Sequence, residues 1–511
     1  MTSMQEQALA KCAEEPIHQI GSVQPHGVLM VLSADQQRVV LQVSENLADL
    51  IDVPASDARN KPLSEAVGKL AVMQIEQLVT VAGADKPATG LVSFTLKGDV
   101  AELQAHLYLS DGMVVLELVR DDEVAQEECL ALLLSDLNQR QLKSRADPDI
   151  FSYFEQIATL VRTLTGYDSV MAYRFDATGD GEVIAQSRVE TAPSYLGLRF
   201  PASDIPPQAR RLYSVNMVRQ VADINATFIP LLPILNPATG EPLDMTLSAL
   251  RSLSPIHIEY LRNMGVQASM SISILLNGCL WGLIVCHHRT EKRVSIGVRE
   301  AAVFISRLVS EQISSIESLA VHKQIEKVAH IVAGLKRDFL QVKQADLQRR
   351  LRDMQHLFDA TGLIAVVDGK CHVHGEVPAM PLTETLLAWL AEQAFEQGVF
   401  SSDHLSESFP AASACTDSAA GLLAIRISAD MRCGFVWLRK EKLRTVQWAG
   451  KSDKDITPDG AGSYRLRPRK SFQIWSELWR GYSFSWSLFD TEIAAMLVRR
   501  LLVPDMVARM K

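Results

Sequence analysis

The sequence lacks the motifs of the common enzyme classes and the long apolar segments of membrane proteins. Its 511 residues contain no phosphate-binding glycine loop, no dinucleotide fingerprint, no HExxH zinc motif and no GxSxG nucleophile elbow. No apolar run approaches the ~20 residues that a membrane helix needs. The first 13 residues have neither the basic start nor the apolar core of a secretory signal. We therefore expect a cytoplasmic protein without membrane contact.

Cysteines are few, and their number is odd. The chain has seven and no CxxC pair, which argues against a disulfide framework and against a structural zinc site. Cys12 lies in a polar N-terminal segment, either as an unused thiol or as a functional one. The other six have apolar neighbours and are expected to pack in the core: Cys129, Cys279, Cys286, Cys371, Cys415 and Cys433.

Length and charge limit the architecture and the partners. A chain of 511 residues suggests about three domains. Lysine and arginine number 51 against 60 aspartates and glutamates, so the net charge is −9. This acidity argues against a nucleic-acid partner, because such proteins usually carry a basic surplus.

Periodicity predicts an α+β protein. Short apolar runs such as 27–32 and 169–175 have the length of strands, while 63–72 and 150–165 have helical spacing. The pairs Asp-Gly at 111–112 and Asn-Gly at 277–278 indicate tight hairpins. From 296 to about 361 glycine and proline are almost absent, and apolar residues recur every three to five positions. This pattern predicts a long connecting helix, or two in series, with an apolar stripe suited to a homodimer.

Residues 445–478 form a polar segment with two possible periods. Phe472 and Ile474 alternate as in a strand, whereas Phe472, Trp475 and Trp479 share one helical face. An ordinary surface hairpin and an element with two states both fit this pattern.

The stretch from 200 to 290 concentrates residues suited to ligand binding. Arginines separated by tens of residues, with serines and histidines nearby, suit a ligand with two carboxylates, because guanidinium binds carboxylate bidentately. The arginines are Arg210, Arg211, Arg219 and Arg251. Tyr173, Phe200 and Tyr260 suit a flat conjugated ligand. A chance scatter of surface arginines and core aromatics remains the alternative.

Several short blocks resemble the motifs of bacteriophytochromes, which are red-light receptors carrying a linear tetrapyrrole. The blocks occur in the family's order: CAEEPIH with QPHG within 12–27, FPASDIP at 200–206, RSLSPIH at 251–257, WAG at 448–450, PRKSF at 468–472 and WSE at 475–477. Together they extend the resemblance over nearly the whole chain.

The resemblance implies three mixed α/β sensor domains. These are a PAS domain at 1–128 with the chromophore-attachment segment, a GAF domain at 129–320 and a PHY domain at 321–511. It also implies an N-terminal figure-of-eight knot, a hairpin called the tongue at about 443–480, and a C-terminal signalling helix.

The implied cofactor is biliverdin IXα, bound through a thioether to Cys12. Family members that attach other bilins have a cysteine just before the pocket histidine, where this chain has Ile256. Arg219 and Arg251 would bind the two propionates, and His257 would lie beside the pyrrole nitrogens. The full set of implied cofactor-binding residues is Cys12, Tyr173, Phe200, Asp204, Ile205, Tyr213, Arg219, Arg251, Ser254, His257, Tyr260, Ser269, Ser271 and His287.

The implied mechanism begins with a light-driven Z-to-E rotation of the D ring, which Tyr173, Phe200, Tyr260 and His287 would surround. Asp204 would then exchange Arg469 for Ser471 and bias the tongue, which contains Trp448 and Trp475, from strand to helix. We expect a homodimer through the GAF and PHY helices. A C-terminal output domain is also expected, namely a histidine kinase acting on a response regulator.

By itself the chain has no kinase motifs, so it is not expected to be an enzyme.

Two other functional classes compete with the photoreceptor interpretation. A PAS/GAF regulatory module binding a cyclic nucleotide or haem would leave Cys12 and the tongue motifs unexplained. A thiol enzyme based on Cys286 and His287 is disfavoured, because neighbours in a strand point to opposite faces.

Overall fold

The computed structural model describes residues 13–83, 87–96, 99–120, 150–176, 178–336, 344–428, 430–451, 456–458 and 464–501. The chain divides into a larger unit, 1–314 with 447–475, and a smaller unit, 315–446 with 476–511. Within the described ranges, no helix combines the length and apolarity needed to cross a bilayer.

The elements up to residue 120 are strands and helices of modest length. In chain order they are β1 Ser22–Val23, β2 Gly27–Leu32, β3 Val40–Ser44, α1 Leu47–Ile51, α2 Ala55–Ala58, α3 Leu63–Val81, β4 Ala88–Leu96, β5 Asp99–Ser110 and β6 Met113–Val119. The helix predicted at 63–72 is longer than expected, and it is kinked at Gly68, whose φ is 80°.

The next part of the chain contains the ligand-binding candidates. Its elements are α4 Ile150–Thr165, β7 Ser169–Phe175, β8 Gly181–Arg188, β9 Arg199–Phe200, a 3₁₀ turn Ala202–Asp204, α5 Pro207–Val215, β10 Val218–Val221, β11 Ile229–Leu232, α6 Pro255–Asn263, β12 Ala268–Leu276, β13 Cys279–His288 and α7 Ile296–Lys336.

The remaining elements follow the seven residues 337–343, which are outside the described ranges. They are α8 Gln344–His356, β14 Gly362–Val367, β15 Lys370–Gly375, α9 Met380–Glu392, β16 Val399–Ser402, α10 Leu405–Ser408, a 3₁₀ turn Pro410–Ala414, α11 Thr416–Ala419, β17 Gly421–Arg426, β18 Gly434–Arg439, β19 Arg444–Ala449, β20 Ile456–Pro458, β21 Tyr464–Leu466, β22 Ile474–Trp479 and α12 Leu488–Leu501. The long helix is thus described as two segments in series.

The first sheet has the strand order β1-β11-β3-β2-β6-β5-β4. Residues of α1, α2 and α3 pack on one face, and apolar residues of the 229–250 segment pack on the other. Because both faces are covered, β2 is a continuous apolar run in which every residue is buried. The sheet also includes β11, a strand that follows β6 in the sequence by more than a hundred residues.

The second sheet begins with the antiparallel strands β10-β12-β13-β7-β8-β9. One face is covered by α4 and by the first part of α7. The other face carries Met171, Tyr173 and Leu283, which pack with Phe200. This second face lies on the side of the ligand-binding candidates.

The third sheet belongs to the smaller unit and has the order β15-β14-β18-β17-β16. Residues of α8 and α12 cover one face, while α9 and the turns around 405–419 cover the other. This unit therefore has one sheet with helices packed on it, as expected of a mixed α/β sensor domain.

Both predicted hairpin turns have the backbone that their sequences require. Asn277 and Gly278 have φ of 51° and 79°, and they join Leu276 to its strand partner Cys279. Asp111 and Gly112 have φ of 49° and 74°. Positive φ at both central residues is the geometry of the favoured two-residue hairpin.

The prediction that six cysteines pack in the core is wrong for Cys279, which is exposed. It begins β13 directly after the turn, and the first three residues of this strand are exposed or half-buried. Cys286, Cys415 and Cys433 are buried and Cys371 is half-buried. Cys12 and Cys129 lie outside the described residues.

The segment after position 12 is attached to both sheets of the larger unit. Ser22 and Val23 pair with Pro230 and Ile229 of β11. The Gln24 side-chain amide donates to the Gln220 carbonyl at 3.0 Å, beside the second sheet. The expected knot requires contacts of this kind. Its threading stays a prediction, since residues 1–12 are outside the described ranges.

Gly27 provides a test of this attachment. A Cβ atom there would lie 2.9 Å from the Leu118 carbonyl oxygen and 2.6 Å from Leu250 Cδ1, so the backbone of β6 would have to move. We expect Gly27→Ala to destabilise the protein by about 1–3 kcal/mol, visible as a lower midpoint in thermal unfolding. Gly297→Ala is the control, because its Cβ would meet nothing closer than 3.8 Å and alanine favours a helix. Equal midpoints for the two variants would contradict the prediction.

Candidate functional site

One cavity in the larger unit collects most of the predicted cofactor-binding residues. Ten of them line it: Asp204, Ile205, Tyr213, Arg219, Arg251, Ser254, His257, Tyr260, Ser269 and Ser271. Tyr173, Phe200 and His287 are not in its lining, and Cys12 lies outside the described residues. The structure therefore gathers residues from strands, two helices and loops that are far apart in the sequence.

Regular pairing explains how the polar wall of the cavity forms. Arg219 on β10 lies opposite Ser271 on β12, and Val221 lies opposite Ser269. Residues two apart in a strand share a face, so both serines point the same way. On α6, His257 and Tyr260 are three residues apart and share one helical face. Ser254 caps this helix by accepting from the Ile256 amide at 3.3 Å.

Two guanidinium groups are buried in the cavity wall without a carboxylate partner among the described residues. Arg219 Nη2 donates to the carbonyl oxygens of Arg251 and Ser252, the latter at 2.8 Å. Arg219 Nη1 and the Nε and Nη1 of Arg251 are buried and have no hydrogen-bond partner in the described part of the chain. Such unpaired buried donors are costly, and an anionic ligand would satisfy them.

Electrostatics support this interpretation of the arginine pair. Burial lowers the pKa of Arg219 well below its usual value, and the neighbouring charge of Arg251 lowers it further. Burial also lowers the pKa of Arg251. A ligand with two carboxylates would neutralise both groups and supply the acceptors that their N–H groups lack. The site therefore fits a linear tetrapyrrole with two propionates.

The N-terminal segment contributes two residues to the lining, Glu15 and Ile17, which were quoted in the sequence only as part of a motif. The Ser254 hydroxyl donates to Glu15 Oε1 at 2.8 Å. Arg467 and Pro468 also line the cavity. Nothing in the local pattern marks these residues, because their segments reach the cavity only through long-range folding.

Asp204, which lines the cavity, forms a buried ion pair with Arg469. Both side chains are only 3% exposed. Asp204 also accepts from the Tyr260 hydroxyl at 3.3 Å, and Arg469 Nη1 donates to the Ala449 carbonyl at 2.6 Å. The structure thus brings Asp204, in the turn after β9, against the segment 447–475.

Part of the polar segment 445–478, called the arm from here on, is buried. Ala449 and Trp448 are buried, and the Arg199 guanidinium lies 5.8 Å from the centre of the Trp448 ring. Gly450 has a φ of 85°, and a Cβ there would fall 2.1 Å from the Ser471 carbonyl oxygen. The two halves of the arm therefore pass too closely for any other residue.

Ser471 and Trp475 are placed differently from Arg469. Ser471 is exposed, and its hydroxyl accepts from the Gln473 amide at 3.3 Å. Trp475 is 43% exposed, with Lys451 Nζ 5.9 Å from its ring centre. Residues 474–479 form strand β22, so this structure contains the strand form of the ambiguous segment.

An aromatic layer adjoins the cavity. The rings of Tyr173 and Phe200 are 5.6 Å apart, and Tyr260 contacts Phe472 edge-on at 5.1 Å. His257 stacks parallel to Tyr260 at 6.0 Å. Tyr173 and Phe200 belong to this layer rather than to the cavity surface.

The titratable rings are held neutral by burial. Burial lowers the pKa of His257 to about 4, helped by Arg219, and lowers the pKa of His287 to about 4, helped by His257. Burial and the charge of Asp204 raise the pKa of Tyr260 well above its usual value. At neutral pH each histidine therefore offers one donor and one acceptor.

Cys286 does not form a catalytic pair with His287. Its thiol is completely buried, and burial raises its pKa, which opposes formation of the nucleophilic thiolate. This arrangement argues against the thiol-enzyme alternative.

The histidine pKa values predict a pH-dependent stability. Between a folded pKa of about 4 and an unfolded value of about 6.5, the unfolded chain binds more protons, so stability is full above that window and falls as pH drops through it. We expect the thermal midpoint of the apoprotein to fall between about pH 7 and about pH 5. His287→Gln should show a smaller drop, because one buried histidine no longer titrates. Equal drops would contradict the assignment.

Comparison with known proteins agrees with this geometry. Three family models match: "PAS fold" over residues 12–119, "GAF domain" over 150–316 and "Phytochrome region" over 329–509. The domain boundaries predicted above at 128 and 320 stay predictions.

Curated relatives match over nearly the whole chain. The bacteriophytochrome of Pseudomonas aeruginosa is 36% identical over 519 residues, covering 97% of this chain and 67% of the relative. Cyanobacterial phytochrome B of Nostoc sp. is 35% identical over 503 residues, covering 96% and 65%. The chain thus spans about two thirds of the length of these relatives.

Solved structures match end to end. A bacteriophytochrome from the photosynthetic bacterium R. palustris superposes with a TM-score of 0.85 at 30% identity, covering 98% of this chain and 99% of the other. The photosensory core module of a Stigmatella aurantiaca phytochrome gives 0.83 at 33% identity, covering 98% of both. The predicted α+β class with three sensor domains is confirmed. The chain belongs to the phytochrome family of red/far-red photoreceptors and has the PAS–GAF–PHY organisation of its photosensory core.

Proposed function

We propose that this chain is the photosensory part of a red/far-red receptor that carries biliverdin IXα, bound covalently through Cys12. The observation that carries the proposal is the pair of buried guanidinium groups, Arg219 and Arg251, with unsatisfied donors beside the cavity. Two propionates would satisfy both groups at once.

The remaining lining residues have complementary roles in the proposal. Ser254, Ser269 and Ser271 offer hydroxyls to the propionates, and His257 offers a neutral imidazole to the pyrrole nitrogens. Ile205 and Tyr213 add apolar surface. When bound, the bilin supplies red-light absorption and the Z-to-E isomerisation of its D ring. Tyr260 and the adjoining Tyr173, Phe200 and His287 shape the space for that ring.

The short distance along the chain between Cys12 and Glu15 supports attachment beside the cavity. Glu15 lines the cavity, and a chain segment of three residues reaches at most about 11 Å. Ile256, which precedes the pocket histidine, provides no alternative thiol. Attachment through the N-terminal segment is the mode that the resemblance associates with biliverdin.

Covalent attachment can be tested directly. The wild-type protein mixed with biliverdin should keep the pigment through denaturing electrophoresis and fluoresce on the gel with zinc. Cys12→Ser should lose this band and retain only pigment that denaturation removes. Cys279→Ser is the control, because Cys279 is an exposed thiol at the end of a hairpin and should leave the band unchanged. A zinc-fluorescent band in Cys12→Ser would refute the assignment.

Haem is a second candidate, because it also carries two propionates and His257 lies in the cavity wall. Haem, unlike a bilin, shows no reversible red-light response. If the protein binds haem and remains without a photoreversible red band after incubation with biliverdin, the regulatory-module alternative replaces the photoreceptor.

We further propose that signalling exchanges the partner of Asp204. In this structure Asp204 pairs with Arg469 inside the larger unit, while Ser471 is two residues away along the same arm. Breaking a buried ion pair leaves an uncompensated charge unless a new partner replaces the old one. Ser471 would supply a hydroxyl donor, and the arm would change from strand to helix.

Arg469→Ala tests the exchange. The variant should still bind biliverdin, because Arg469 is not part of the cavity lining, but it should give less photoproduct or a shorter-lived one under red light. Difference spectra before and after illumination measure both quantities. Lys470→Ala is the matched control, since it removes an exposed cation at the next position. A normal photocycle in Arg469→Ala would contradict the exchange.

The rest of the signalling apparatus belongs to the proposal as well. Phe304 on α7 is 45% exposed and Phe151 on α4 is 51% exposed, which suits a homodimer through these helices. The relatives are longer than this chain, consistent with a C-terminal output domain such as a histidine kinase and its response regulator. The chain itself would act as a cytoplasmic sensor and not as an enzyme.

A further inference from the structure

We propose that Glu117, in the first sheet, is a positioning residue for both propionate-binding arginines in the cavity. It acts through the backbone segment 248–252. This inference rests on the proposed function, because it assigns Glu117 to the recognition of the bilin's two carboxylates. Nothing in the motifs that identify the family involves this residue.

Glu117 is unusual within its own strand. β6 reads Met-Val-Val-Leu-Glu-Leu-Val, and the glutamate is completely buried, with 0% exposure. A buried carboxylate is expensive unless several donors satisfy it. A charge retained at the centre of an apolar strand therefore requires a structural or functional explanation.

Three donors from one short segment satisfy the carboxylate. The Ala249 amide donates to Oε2 at 2.8 Å, and the Leu250 amide donates to Oε1 at 3.1 Å. The Ser248 hydroxyl also donates to Oε1. The carboxylate thus fixes three consecutive residues just before Arg251.

The same segment controls the two guanidinium groups. Ser248 Oγ accepts from the Arg251 amide at 2.8 Å, which sets the backbone that carries the first guanidinium. The carbonyl oxygens of Arg251 and Ser252 accept from Arg219 Nη2, which orients the second. One buried anion therefore determines the position of both cations through a single strip of backbone.

Neighbouring groups reinforce the arrangement. His106 on β5 contacts the carbonyl of Leu247, the residue before this segment, through Nε2 at 3.2 Å, so two strands of the first sheet hold adjacent parts of the chain. Arg299 on α7 is a half-buried cation whose charge interacts with Glu117.

A ligand-selectivity experiment separates positioning from simple stabilisation. In the Cys12→Ser background, where binding is reversible, affinities are measured for biliverdin and for its dimethyl ester, whose propionates are masked. Glu117→Gln keeps the shape of the side chain but turns an amide NH₂ toward backbone donors. We expect it to weaken biliverdin binding about tenfold or more and ester binding less than about threefold.

Two further variants keep the test decisive. Ser248→Ala removes the hydroxyl that links Glu117 to Arg251 and should reduce the preference for biliverdin in the same direction. If Glu117→Gln does not fold, the result for Ser248→Ala alone decides whether Glu117 positions the arginines. Thr165→Ala is the control: it removes a buried hydroxyl that donates to the Val161 carbonyl at 2.7 Å within α4, a helix that packs on the second sheet. It should leave the preference unchanged.

The possible failures are distinguishable. If Glu117→Gln and Ser248→Ala weaken both ligands equally, or weaken neither, the positioning role is refuted while the photoreceptor proposal stands. If the parent protein binds neither bilin, the proposed function itself fails.

Discussion

Two buried guanidinium groups without a carboxylate partner in the described chain are the constraint around which the larger unit is organised. Burying Arg219 and Arg251 costs free energy that protein carbonyls offset only in part. Both groups face one cavity, because β10 carries Arg219 and the segment 248–252 carries Arg251. A ligand with two carboxylates would recover this free energy on binding, so the cost of burying the two arginines would contribute to the ligand's affinity.

A different principle holds at Asp204, which also lines the cavity. Asp204 and Arg469 form a buried ion pair, and Tyr260 contacts both the carboxylate and the ring of Phe472. A buried ion pair is a suitable place for a switch, because its charge needs an alternative partner as soon as the first one leaves. The cavity thus has one part that suits an anionic ligand and one part suited to respond to it.

Much of the fold and of the candidate site could be predicted from the sequence, and there are physical reasons why the rest could not. Periods of two and of three to four identified strands and helices, and Asp-Gly and Asn-Gly identified the hairpin turns, because these are local properties. The register that places Arg219 opposite Ser271 is not local, nor are the donors that surround Glu117. Cys279 was misassigned because apolar neighbours in sequence do not guarantee cover at a strand end. The identity of the ligand could be predicted only from the resemblance to the family's motifs, because the chemistry of the residues alone left it open.

The place of β11 in the first sheet has a consequence for biosynthesis. β3 pairs with β2 on one side and with β11 on the other. During translation β3 emerges from the ribosome long before residues 229–232, so its second edge stays open while the intervening chain is made. The nascent PAS domain cannot finish its own sheet, and its maturation must wait for a segment encoded within its neighbour.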